Sequence, residues 1–156
     1  MTEAPGRPAA PGARLLALPP PVAALLVVFD DVWLKRRHPG LVSGKLADLG
    51  LCFFAPVVAA TLVEWAAWTR ARLRGAPFAT PGARLDAVAC GVVAVYFTAL
   101  KLSPLAARAH VAVLSALVPG VRFGAVADAT DLVALPLVVA AFAYLRSCAG
   151  PPRDTR

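Results

Sequence analysis

A chain of 156 residues that is 59% hydrophobic and only 16% charged, with a mean hydropathy of +0.69, has too little polar surface to cover a water-soluble fold. The net charge of +7 and the pI near 10.2 would suggest nucleic acid in a soluble protein. Here the arginines lie between apolar blocks, as membrane-flanking charges do, and no nucleic-acid-binding motif occurs, so the lipid bilayer is the expected partner and nucleic acid is not.

The N-terminal "MTEAPGRPAAPGAR", residues 1–14, is rich in Pro, Ala and Gly and reads as a disordered tail, without a clear signal-peptide cleavage site. A single membrane domain then covers residues 15–148. Its first apolar block runs from Leu15 to Leu34, with the regular helix starting at Pro19–Pro21, because proline fits only the first turn. The second runs from Ala47 to Trp68, with Ser43 as a plausible N-cap and Trp65 and Trp68 as interface anchors. The linker "TRARLRGAPFATPGAR" carries four arginines with Gly and Pro, a loop signature. The third block spans Leu85–Leu102 and the fourth Asp131–Leu145. Between them "LAARAHVAVLSALVPG" is too short to cross and reads as a short interfacial helix. Residues 149–156 form a second loose tail. The predicted fold is therefore an all-α integral membrane protein with four transmembrane helices.

With four crossings, both termini and the middle loop share one side. That side holds nine basic residues and the other seven, a balance that places both termini in the cytoplasm of a bacterial inner membrane. Loops one and three then share the opposite face. Asp30, Asp31 and Lys35 end the first helix, Lys45 and Asp48 begin the second, Lys101 ends the third, and Asp128 and Asp131 begin the fourth. Asp31 and Lys35 are spaced i, i+4, while Lys45 with Asp48 and Asp128 with Asp131 are spaced i, i+3, so each pair shares a helical face. Charge inside a bilayer is costly unless opposite charges face each other within the bundle. Asp31, Lys35, Lys45, Asp48, Lys101, Asp128 and Asp131 are the predicted ligand-binding or ion-pair network. Taken singly, each has an ordinary role: Asp128 as a helix cap, Asp131 on a helix dipole, Lys101 reaching for headgroups, and Arg36, Arg37 and Arg122 touching headgroups. Glu64 reads as interfacial beside Trp65, and Asp86 as a first-turn dipole partner.

Catalytic and metal motifs are absent from the sequence. "GLVSGKL" has three residues between its glycines where a phosphate-binding loop has four, and Leu follows its Lys. His38 and His110 are the two histidines, too few for a multi-histidine metal site. Cys52, Cys90 and Cys148 form no CxxC pair and read as small buried hydrophobes. Asp30, Asp31, Asp128 and Asp131 could together hold a divalent cation, but the nearby lysines favour pairing. No catalytic residue, metal or cofactor is therefore expected.

"FDDVWLK", "SGKLADLGLCFF", Lys101 and "DATDLVALP" together resemble a family of small bacterial multi-pass membrane proteins. That family's pattern is Asn-Asp-His-x-Leu-Lys, then Thr-Gly-Lys-Leu-Ser-Asp, then Asp-Pro-Thr-Asp-Leu. The likeness covers residues 25–140. It matches at Asp31, Leu34, Lys35, Gly44, Lys45, Leu46, Asp48, Thr130, Asp131 and Leu132, and departs at Asp30, Val32, Ser43, Ala47 and Ala129. Val32 stands where the family has His, which weakens a proton-transfer role there. "VRFGAVADATDLVALP" is more faintly similar to VanZ-like proteins of the cell envelope. The expected function is binding of a lipid headgroup or other envelope ligand. The alternatives are an intramembrane metal-dependent enzyme, an ion or proton pathway, a VanZ-like resistance protein, and a subunit that assembles with a membrane protein partner.

Overall fold

The computed structural model describes residues 10–37, 41–78, 80, 82–121 and 123–149, and for Leu41, Val42 and Ser43 the backbone alone. His38, Arg122 and most of both predicted tails lie outside the described residues. Within them, every regular element is helical.

The first apolar block is broken. α1 (Ala13–Leu16) ends where Ala17 is extended, and α2 (Pro19–Phe29) begins on the predicted prolines. Pro19, Pro20 and Pro21 have no N–H to donate to the carbonyls of Leu15, Leu16 and Ala17, so one helix cannot run through. A π-turn over Asp30–Leu34 leads from α2 into α3 (Lys35–Arg37). The wide turn shifts the side-chain register. Asp30 is fully buried while Asp31 is exposed.

α4 (Leu41–Leu73) is 33 residues long, or roughly 50 Å at 1.5 Å per residue. It extends past both predicted ends, so Lys45 and Asp48 lie within the helix. Ser43 is two residues inside it, which corrects the expected N-cap. Pro56 sits in its middle, fully buried. α5 (Ala83–Leu102) follows the arginine-rich loop, and α6 (Pro104–Leu117) turns away after the Ser103 side chain caps the amide of Ala106. The last block starts two residues early, with a 3-10 turn over Ala129–Ala134 that runs into α7 (Pro136–Cys148).

Among the described residues, three helical stretches are long and apolar enough to cross a membrane: Gly44–Leu73, Ala83–Leu102 and Ala129–Cys148. They pack on one another through Cys52, Val57 and Ala60 of α4, Cys90 and Phe97 of α5, and Ala141 and Leu145 of α7. Small side chains dominate these contacts, as between membrane helices, where backbones approach closely. Large apolar residues face outward instead: Val92, Val95, Val139 and Leu62 are all more than 60% exposed. That distribution is the reverse of a water-soluble bundle and suits a lipid surround.

α2 docks on α4 at Gly50. A methyl group there would lie 2.8 Å from the Ala23 carbonyl oxygen and 2.8 Å from Val27 Cγ2. Gly50→Ala is expected to destabilise the folded bundle by about 1–3 kcal/mol, the usual cost of overpacking. Gly44 has open space around it, so Gly44→Ala should be neutral or stabilising. Denaturant midpoints of the two variants in detergent check the contrast, and equal midpoints would remove this contact from the fold.

Candidate functional site

The charges at the open end of α4 and α5 form a connected group. Lys101 lies in the last turn of α5, where the helix dipole favours a cation. Its Nζ donates to Asp48 Oδ2 at 2.7 Å and to Asp131 Oδ2 at 2.7 Å. Lys45 Nζ donates to the other oxygen of Asp131 at 2.9 Å and to Thr130 Oγ1 at 2.7 Å. Asp131 thus bridges two ammoniums, and it sits in the first turn of the 3-10 segment, where a carboxylate is favoured. Asp48, Lys101 and Asp131 are each about 15% exposed or less, in a setting where charge-assisted hydrogen bonds are strong.

Asp128 caps the turn. Its Oδ1 accepts from the Thr130 amide at 2.9 Å and the Thr130 hydroxyl at 2.8 Å. These two bonds, the hydroxyl's first, hold the Asp128 carboxyl below the ordinary carboxylate range. Asp131 therefore does more than sit on a dipole, while Asp128 is a true cap.

Asp31 and Lys35 pair locally on the exposed side of the π-turn. Lys35 Nζ also lies 3.8 Å from Asp30, whose two carboxylate oxygens are buried without a hydrogen-bond partner. No bond joins this pair to the Asp131 group among the described residues. The two meet across a cavity of about 440 Å³ that Lys35, Lys45, Asp48, Lys101, Asp128 and Asp131 all line. Leu51, Phe97, Leu100 and Val126 supply its apolar wall.

α6 contributes His110 to the cavity lining, a residue that nothing in the chain's pattern singles out. Its Nδ1 lies 2.5 Å from the Tyr96 hydroxyl on α5. Both are on amphipathic stretches, but their meeting depends on how α6 folds back on α5. Among the described residues no group of three or more His, Cys, Asp or Glu is placed to hold a metal ion. Cys52 and Cys90 are buried without disulfide partners and Cys148 is exposed.

A second charged group lies at the other end of the same helices. Arg14 Nη1 donates to Asp86 Oδ1 at 2.9 Å, and its Nε is 3.6 Å from Glu64 Oε2. The amide of Gly12 donates to Glu64 Oε2 at 3.1 Å, and the Tyr144 hydroxyl donates to the Arg14 carbonyl. Arg14 is 7% exposed, Glu64 2% and Asp86 1%. By sequence alone Arg14 belongs to the tail, Glu64 to an interface and Asp86 to a helix dipole. The structure instead buries all three together and ties the N-terminal segment to α4, α5 and α7.

Asp48 and Glu64 are sixteen positions apart on α4, and Asp86 and Lys101 fifteen apart on α5. At 1.5 Å per residue the two charged layers are roughly 22–24 Å apart, somewhat less than the thickness of a hydrocarbon core. Between them lie apolar side chains such as Val57, Ala60, Cys90 and Ala141. Compared with protein-family models, with curated proteins and with solved structures, the chain matches none.

Proposed function

We propose that this chain is a four-crossing protein of a bacterial inner membrane that holds a lipid headgroup, or another amphipathic envelope ligand, in the cavity between α4, α5 and the Asp128–Asp131 turn. The supporting observation is the cavity itself. Lysines and aspartates from four separate helical segments face one space whose remaining wall, His110 apart, is largely apolar. Lys35, Lys45 and Lys101 meet the polar part of the ligand, and Asp31, Asp48 and Asp131 hold those lysines in position. Leu51 is exposed one turn along α4 from Asp48, so an acyl chain can leave the cavity sideways into lipid.

In this reading α2 and its continuation to Arg37 form the first crossing, with the π-turn at one membrane face. α6 lies along the interface on that side. The two charged layers mark the two faces, and Trp68, with Arg72 over its ring at 5.5 Å, anchors the far one. An ion or proton pathway ranks below headgroup binding, because such a path needs ionisable groups at intermediate depth and the space between the layers is filled by apolar side chains.

Lys45 is the most exposed member of the Asp131 group, so its removal is the gentlest test. Lys45→Ala is expected to weaken binding of co-purified lipid about tenfold, equivalent to about 1.4 kcal/mol. Native mass spectrometry of the full chain released from nanodiscs reads this directly. Undiminished lipid retention by Lys45→Ala would end the headgroup reading.

A further inference from the structure

The lysines around the cavity are already engaged. Lys101 Nζ is held by Asp48 and Asp131, Lys45 Nζ by Asp131 and Thr130, and Lys35 Nζ by Asp31 with Asp30 beyond it. The lining carries three ammoniums, Lys35, Lys45 and Lys101, and three carboxylates, Asp48, Asp128 and Asp131. Asp31 holds Lys35 from outside the lining, and Asp30 lies fully buried behind it. A simple anion would enter a space whose carboxylates already match its ammoniums in number.

The remaining bonding capacity is of both kinds. An ammonium has three donors, and Lys45 uses two of them. Asp128 accepts twice through Oδ1 and leaves Oδ2 without a hydrogen bond among the described residues. The two residues are joined through one hydroxyl: Lys45 Nζ donates to Thr130 Oγ1 at 2.7 Å, and Thr130 Oγ1 donates to Asp128 Oδ1 at 2.8 Å. A spare donor and a spare carboxylate oxygen therefore flank Thr130 at the cavity wall.

We infer that the ligand is a zwitterion with a phosphate and a primary amine, the chemistry of a phosphoethanolamine headgroup, with the phosphate on Lys45 and the amine on Asp128. This rests on the headgroup reading above and narrows it. A primary ammonium donates N–H to Asp128 Oδ2, which a trimethylammonium cannot do. Quaternary ammonium recognition uses aromatic faces. Phe97, the aromatic ring among the apolar lining residues, already has Lys101 Nζ 5.4 Å from its centroid.

The test is competition in nanodiscs holding the full chain, with phosphatidylethanolamine, phosphatidylcholine and phosphatidylglycerol of identical acyl chains, and soluble phosphoethanolamine as a separate arm. Phosphatidylethanolamine is expected to bind about tenfold more tightly than either of the other two lipids. Asp128→Asn keeps an oxygen to cap Thr130 and should reduce that preference to about twofold or less at unchanged thermal stability. Lys45→Ala should weaken all three lipids. Phosphatidylglycerol binding as tightly as phosphatidylethanolamine, or an Asp128→Asn variant with its preference intact, overturns the zwitterion assignment and leaves headgroup binding standing. Retention of none of the three lipids removes the headgroup reading as well. Soluble phosphoethanolamine binding as tightly as the lipid supports the charge assignment and overturns the lipid as its source.

Discussion

Replacing Arg14 with methionine is expected to lower the stability of the folded bundle by about 3–5 kcal/mol, the cost of stripping one partner from a buried ionic group. Arg14 is the cation placed against Glu64 and Asp86, and all three side chains are more than 90% buried. Without it two carboxylates share a buried space in which, among the described residues, the Gly12 amide is the remaining donor to Glu64. Methionine keeps much of the apolar stem, so the loss measures charge pairing more than packing. The same change frees α1 from α5, since the Arg14–Asp86 bond is the direct tie between them. A compensated variant separates the two effects. Arg14→Met combined with Glu64→Gln and Asp86→Asn removes all three charges and should recover most of the lost stability, because buried ionic groups are often replaceable as a set though not singly. Denaturant midpoints in detergent provide the readout, with an unchanged slope showing that the same transition is followed. A loss below about 1 kcal/mol for Arg14→Met alone would mean that water reaches the group and that these charges behave as a surface pair.

Much of the helical layout was legible because apolar blocks of membrane length admit few other structures. The Ala47–Trp68 and Leu85–Leu102 blocks lie inside α4 and α5, since nothing within them stops a helix; even Pro56 is absorbed by a long segment packed on three neighbours. The meeting of Lys45, Asp48, Lys101 and Asp131 was legible for a related reason. Antiparallel neighbours bring the end of one helix beside the start of the next, so charges at those ends share a depth. The Arg14 group was not legible. Its bonds span 52, 72 and 130 positions, and each member had a sufficient local explanation. The one available signal was that Glu64 and Asp86 both lie at the end of an apolar block opposite the lysines, which leaves two acids in need of a cation at that depth. The π-turn was hidden as well, because a one-residue change of register leaves no mark in composition. That register change is what buries Asp30 and leaves Asp31 outside.

Among the carboxylates that hold the cavity's lysines, the loss of stability should follow the number of ammoniums each one holds, with Asp131 at the top. Asp131 accepts from Lys45 and Lys101 at 2.9 and 2.7 Å, and Asp48 from Lys101 alone at 2.7 Å. Asp31 holds Lys35 on an exposed surface, with the two side chains 51% and 44% exposed. Asp131→Asn removes charge from two bonds at once and is expected to cost about 2–3 kcal/mol, given that a hydrogen bond to a charged group contributes roughly 1.5–3 kcal/mol and that Asn retains one weaker acceptor. Asp48→Asn should cost less, because Asp131 still holds Lys101. Asp31→Asn should change stability by about 0.5 kcal/mol or less, as solvent-exposed pairs do. The Asp131 and Lys45 changes should also be non-additive. Once Asp131 is neutral, removing Lys45 costs little more, and a double-mutant cycle gives a coupling of at least about 0.5 kcal/mol. The order matters for function, because Asp131 is the residue that fixes both Lys45 and Lys101 relative to α7. If it were merely a dipole partner of its own helix, its neutralisation would leave the positions of those lysines and their lipid affinity untouched. Equal stabilities for Asp131→Asn and Asp31→Asn in the same detergent, together with unchanged lipid retention, would show that the bridging carboxylate organises nothing and that the cavity is a solvated gap between helix ends.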